Sequence, residues 1–403
     1  MEQAAEKRHA GRATIRRFSG YQRHGSLLWQ QRRGDIVGPE SYFRGSVLSS
    51  LADERLPAST EAGPTGRRPK VSILLVTYNH VKFIGQALDS ILMQKTEYDY
   101  VIHVLEDCST DGTQDVIMRY VREHPGVVKP FFNAINLGRI NPPSKRLQDV
   151  FYQRLKQLDG DYIAILDGDD YWSSPHKLQS QVSFLEANPD FAAAAHATIK
   201  VYEDGSGREP HRFPPSVDGR EVRTIHDFVD MSSFFHLSSN LYRNVFRGHP
   251  PAGFRSRWSC DIFFTIAHLQ HGKLHYADED MSIYRHHKAG NFSQWSEVTG
   301  RIYNIEGIRR YNRWLGYRYA KGFAFTLNRL CLDLLRRTKD GRLPPLKRFQ
   351  WLKYSAIALF YGAIYDAFHA FPRLDPAVFW YGEAALPQDP SGRRTARLVG
   401  YLR

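Results

Sequence analysis

From residue 71 the chain alternates short apolar runs with longer stretches that repeat every three to four residues. "VSILLVTYN" (Val71–Asn79) is continuously apolar up to its polar end, as for a strand buried on both faces. Phe83, Ile84, Ala87, Leu88, Ile91 and Leu92 then recur at i, i+4, i+8, which predicts a helix with one inward face. "YVIHVLED" (Tyr100–Asp107) predicts a second strand, and "STDGTQDVIMRYVREHPG" a turn and helix with Val116, Ile117, Tyr120 and Val121 inward. "VVKPFFNAINLG" is a third, less regular strand. "PSKRLQDVFYQRLKQLDG" is a helix, and "DYIAILDGDD" a fourth strand. Strands alternating with helices imply βαβ units, an α/β class and a mostly parallel sheet.

The chain has 403 residues, which predicts a main domain with appendages. Residues 1–69 are rich in Arg, Gly, Ser and Pro with little periodicity, so they read as a basic extension, largely disordered; 70–298 is the catalytic domain, and 299–403 a helical C-terminal region. The net charge of +13 is compatible with nucleic acid, anionic membrane or phosphorylated ligands. The basic residues are spread widely and no nucleic-acid module appears, so nucleic acid is not expected as a partner. Three distant cysteines, Cys108, Cys260 and Cys331, fit neither a zinc site nor a disulfide framework, and fit a reducing cytoplasm. The N-terminus has no apolar core of a secretory signal. "YSAIALFYGAIYDAFHAF" (Tyr354–Phe371) is short for a bilayer span and contains Asp366 and His369. It reads as a helix packed on the catalytic domain, with an interfacial helix as the alternative, supported by Lys347, Arg348 and Lys353 upstream. The expected location is cytoplasmic, with peripheral contact at the inner face of the membrane.

The strand ends carry the chemistry. In open sheets of this kind ligands bind beyond the carboxyl ends of the strands. Strand one ends in Thr77, Tyr78 and Asn79, strand two in Glu106 and Asp107, and strand four in Asp167, Asp169 and Asp170. Like charges about 4 Å apart repel by roughly 1 kcal/mol in water and about 4 kcal/mol near a protein surface. A hard divalent cation, Mg²⁺ or Mn²⁺, would offset that repulsion and bind substrate phosphates. The competing reading of the Asp triplet is a turn with a helix cap.

Taken together these pieces resemble family 2 glycosyltransferases, which have the GT-A fold, over roughly residues 70–295. "VSILLVTYNHVKFIGQALDSILMQ", "LEDCSTDGTQDVI", "INLG", the DXD-like region "YIAILDGDDYW", "HLSSNLYRN" and "YRHHKAGNFS" match its landmarks in order. The resemblance implies that Thr77 and Tyr78 line the base and ribose pocket with Asn79 and Glu106 beside them, and that Asp107 accepts a uracil N–H. Asp167 and Asp169 would face ribose or metal, and Asp170 would hold the metal. His287, with His286 as the alternative, would touch metal or diphosphate. Arg139 and Lys177 are candidate phosphate contacts or, equally, solvated surface charges. Asp261, opening the helix of "SRWSCDIFFTIAHLQHGKL", matches the family's catalytic base; as a helix N-cap it would be favoured whatever the function. The implied activity is inverting, metal-dependent transfer from a nucleotide-diphosphate sugar, UDP-linked in this family pattern, to a saccharide or lipid-linked acceptor in cell-surface polysaccharide or glycan assembly. The alternative is a non-catalytic nucleotide- or glycan-binding protein of the same fold. A nucleotidyltransferase would carry a Gly-rich basic loop after strand one, which "TYNHVKFIG" is not.

Overall fold

The order and register of the strands decide where the polar ends meet. A computed structural model describes residues 70–137, 145–211, 221–229, 235–255, 261–288, 290 and 296–370. The expected extension, Arg139 and residues 371–403 lie outside these. The first half runs β1 (Val71–Thr77), α1 (Ile84–Leu92), β2 (Tyr100–Glu106), α2 (Thr113–Glu123), β3 (Val128–Phe132), α3 (Lys145–Gln157) and β4 (Tyr162–Asp167). There follow β5 (Tyr171–Trp172), α4 (Lys177–Ala187), β6 (Phe191–Tyr202), β7 (Arg208–His211), β8 (Val222–Arg223) and α5 (Ile225–Val229). Next come β9 (Leu241–Arg243), α6 (Asp261–Leu269) and β10 (Lys273–His286), then α7 (Glu297–Trp314), α8 (Ala320–Lys339) and α9 (Arg348–Ala370).

All the strands join one sheet in the order β3-β2-β1-β4-β9-β6-β10-β5, with β7 on β6 and β8 on β10. The β3-β2-β1-β4 half is parallel throughout. The long β6–β10 pairing is parallel too, while β9 joins β4 to β6 by short antiparallel ladders. The sheet is thus mostly parallel and flanked by helices, as the alternation predicts. β3, irregular and carrying Pro130, sits at the edge, where a missing N–H is tolerated.

Period-two alternation sorts the core onto two faces. Val71, Ile73 and Leu75 pack with the inner faces of α1, α2 and α4. Leu74, with Val76 against it, points into the other cluster, shared with Leu155, the α6 aromatics and α7–α9. Truncating such a residue to Ala costs roughly 2–5 kcal/mol. The C-terminal helices therefore belong to the catalytic core: Ile305, Tyr311, Phe323, Leu327, Tyr361 and Ile364 are part of that second cluster. Thr326 Oγ1 also donates to Val229 O at 2.9 Å.

Candidate active site at the strand ends

The parallel register pairs Thr77 with Glu106 and Val76 with Asp167, so the ends of β1, β2 and β4 fall on one edge. The two loops above it are stitched together. Asn79, at φ 52°, donates its N–H to Ser109 Oγ at 2.8 Å and accepts from Thr110 N at 2.9 Å through its side chain. Asn enters the left-handed region more readily than most residues. His80 N and Val81 N donate to Thr113 Oγ1 and Asp111 Oδ2 at 2.9 and 3.0 Å. Gly168 crosses so closely over β1 that a Cβ there would lie 2.6 Å from Thr77 Oγ1 and 3.1 Å from His80 Nδ1.

The carboxylates divide into two kinds. Glu106 is fully buried and accepts from Cys108 N (3.2 Å), Ser109 N (2.6 Å) and Gln114 Nε2 (2.6 Å). Its oxygens hold the β2–α2 turn. Asp107 accepts from Asn133 Nδ2 and Leu137 N, both at 2.9 Å, and so fixes Asn133 and Leu137 against the sheet edge.

Asp169 is of the second kind. Its Oδ2 lies 3.0 Å from His287 Nε2 and 3.7 Å from His80 Nε2. Burial opposes its charge, but the hydrogen bond from His287 and then the charge of His80 outweigh it and hold Asp169 below the usual carboxylate range. Burial also lowers His80, against the attraction of Asp169, which favours the neutral imidazole that binds metal. One ligand atom from each of His80, Asp169 and His287 lies within 4.8 Å of the others. Two nitrogens and a carboxylate suit a borderline or moderately hard divalent ion such as Mn²⁺. Thr77 Oγ1 and His80 Nδ1, both buried, find no hydrogen-bond partner among the described residues.

Asp170, expected on the metal, is not in the His80–Asp169–His287 group. It is 2% exposed, accepts from Arg285 N at 2.8 Å, and has His236 Nε2 3.6 Å away. Burial, then the charges of Asp169 and Asp167, push its carboxyl well above the ordinary range. Asp167 rises likewise through burial, Asp169 and Asp261. That last influence ties Asp261, the first residue of α6, to the same edge. Burial pushes the Asp261 carboxyl up as well. Tyr78 is half-buried at the end of β1.

Lys177 corrects the phosphate expectation. It is fully buried, donates to Gln181 Oε1 at 2.6 Å and sits 4.4 Å over the Trp172 ring. Burial pushes it down to about 7. His286 is not in the His80–Asp169–His287 group; its ring lies 5.1 Å from that of Tyr202. The residues missed in the sequence are His80, His236 and Arg285. Each stands inside a landmark segment, and only the crossing of loops reveals its direction. Arg285 donates to Asp169 O at 2.6 Å and to Gln86 at 2.5 Å, and lies 4.5 Å over Phe83.

Comparison with known proteins follows this geometry. The model of Glycosyl transferase family 2 matches residues 72–288, more than half of the chain. The chain is 28% identical over 227 residues to an uncharacterized protein of Mycobacterium tuberculosis, covering 55% of this chain and 60% of that one. The chain thus spans about three fifths of the length of its mycobacterial relatives. It is 26% identical over 289 residues to an uncharacterized glycosyltransferase of Nostoc sp. strain PCC 7120, covering 70% and 84%. Among solved structures, Staphylococcus aureus TarS residues 1–349 with UDP-GlcNAc superposes with a TM-score of 0.46 at 18% identity, over 64% and 72% of the two chains. The acidic strand ends on a parallel sheet and the family match over them lead to one statement: the chain belongs to glycosyl transferase family 2.

Proposed function

We propose that this glycosyltransferase moves a sugar from a nucleoside-diphosphate donor, UDP-linked, to a hydroxyl of a saccharide or lipid-linked acceptor, with inversion, in cell-surface polysaccharide or glycan assembly. The observation that carries the reading is the His80–Asp169–His287 group beside the aligned ends of β1, β2 and β4. His80, Asp169 and His287 would hold a Mn²⁺ ion, which when bound supplies Lewis-acid stabilisation of a diphosphate leaving group. Thr77, whose buried hydroxyl finds no partner among the described residues, and Tyr78 line the nucleotide side, and Asp107 presents its carboxylate there, fixed by Leu137 N. Asp261 removes the proton of the acceptor hydroxyl as that oxygen attacks the anomeric carbon. The bond to the diphosphate oxygen breaks on the opposite face, so one displacement inverts the centre. A carboxyl raised by burial is the stronger base once deprotonated, which suits it to this role.

Release of UDP from a panel of UDP-sugars, with and without acceptor, tests the reading. Asp261→Asn is expected to lower turnover about 10²–10⁴-fold while leaving UDP affinity within twofold or so. Full activity in that variant would remove Asp261 from the chemistry. No nucleotide release from any donor by folded protein would favour the non-catalytic binding role.

A further inference from the structure

α9 is apolar on two sides, and among the described residues one of them is buried in the core while the other is largely exposed. Tyr354, Ile357, Ala358, Tyr361 and Ile364 are buried in the core shared with the sheet. On the other side Phe349, Leu352, Leu359 and Phe360 are 65%, 64%, 77% and 48% exposed. Their spacing of i, i+3, i+10, i+11 keeps them on one stripe, which exposed Ala356 and Ala363 continue. An exposed apolar face of this extent is uncommon on a protein and marks an interaction surface.

The charge around the stripe selects among partners. The approach to α9 carries Arg336, Arg337, Lys339, Arg342, Lys347 and Arg348, against Asp340 alone. Of these cations Arg337 is engaged with Asp333 and Glu297. The other five are exposed. Asp366 is the one acidic residue within α9. A second protein copy with the same surface would set cations against cations. An anionic lipid surface would meet both features at once, with headgroups against the basic turn and the stripe sunk into the acyl boundary. Among the described residues no helix is long and apolar enough to cross a membrane.

We propose that the exposed stripe of α9, with the basic α8–α9 turn, is a docking surface for an anionic lipid bilayer. The apolar side chains supply the insertion, and the cations supply the preference for negative headgroups. The proposal stands apart from the assignment of the catalytic residues. Either can fail without the other.

Vesicle flotation with the full chain tests it. Phosphatidylcholine vesicles with ~30% phosphatidylglycerol should carry the protein at low salt, and pure phosphatidylcholine should carry about tenfold less. Salt at ~0.5 M should weaken binding strongly, since charges are then screened over a few ångströms. Leu352→Gln/Leu359→Gln/Phe360→Gln should lose about tenfold or more, with unchanged thermal unfolding because these side chains are already exposed. Lys347→Gln/Arg348→Gln should lose the preference for anionic lipid. Absence of wild-type flotation on anionic vesicles at low salt would overturn the proposal, as would flotation unchanged in the triple variant. A wild-type dimer in light scattering that the triple variant loses, without vesicle binding, would assign the stripe to a second copy instead.

Discussion

At the scale of single residues, burial decides what each charged group does. Asp261 is half-buried, and burial raises its carboxyl. A base must be deprotonated to act, so activity should fall as pH drops through that raised value. The acidic limb of the pH–rate profile should therefore lie above the range of an ordinary carboxylate and vanish in the residual activity of Asp261→Asn. Lys177 shows the opposite outcome, a charge spent inside the core. Its folded value of about 7 lies below the ordinary 10.5. Between those values the unfolded chain holds a proton on Lys177 that the folded chain has released. Folding stability should then rise with pH across that window, and the penalty is fully present below it. Lys177→Met, of similar volume, should raise stability at neutral pH by about 1–3 kcal/mol and flatten this rise, as read by urea unfolding at pH 7 and pH 9.5. A Lys177→Met variant less stable than wild type at neutral pH would mean that the Trp172 and Gln181 contacts outweigh desolvation.

At the scale of elements, the site depends on loops crossing at close range. Gly168 lets the β4 end pass over Thr77 and His80, and its N–H donates to Val76 O at 2.7 Å. Gly168→Ala would push the β1 end and the turn apart. Its expected cost is about 1–3 kcal/mol in stability, together with loss of metal-dependent UDP binding; unaltered binding would show that the crossing can relax. The first four strands and three helices were legible because the apolar runs and the three-to-four-residue periodicity agree along residues 71–167. β6 was not legible. "FAAAAHATIKVY" is alanine-rich, and alanine favours helix in isolation. Its place in the middle of the sheet comes from tertiary packing: Ala193, Ala195 and Ala197 belong to the same cluster as Tyr242, Phe264 and Tyr276, where small side chains leave room for rings. The candidate site was partly legible for the same kind of reason. A strand end can be read from a pattern, so Asp169 could be named. The direction of a loop side chain cannot, so His80, 3.7 Å from Asp169, was not named.

At the scale of the whole molecule, one core connects the sheet edge to the C-terminal helices. All described residues, which fall between 70 and 370, lie in one compact unit. The face of α9 away from that core is where vesicle binding is expected, and the strand edge is where nucleotide binding is expected. At the edge, His80, Asp169 and His287 would seat a divalent cation for a nucleoside diphosphate. Calorimetric titration of UDP into the protein, with Mn²⁺ and with chelator, for the wild type and for Asp169→Asn, tests it most directly. The account predicts binding that requires Mn²⁺ and that is lost in folded Asp169→Asn. Equal UDP binding with chelator, or in Asp169→Asn, would contradict it.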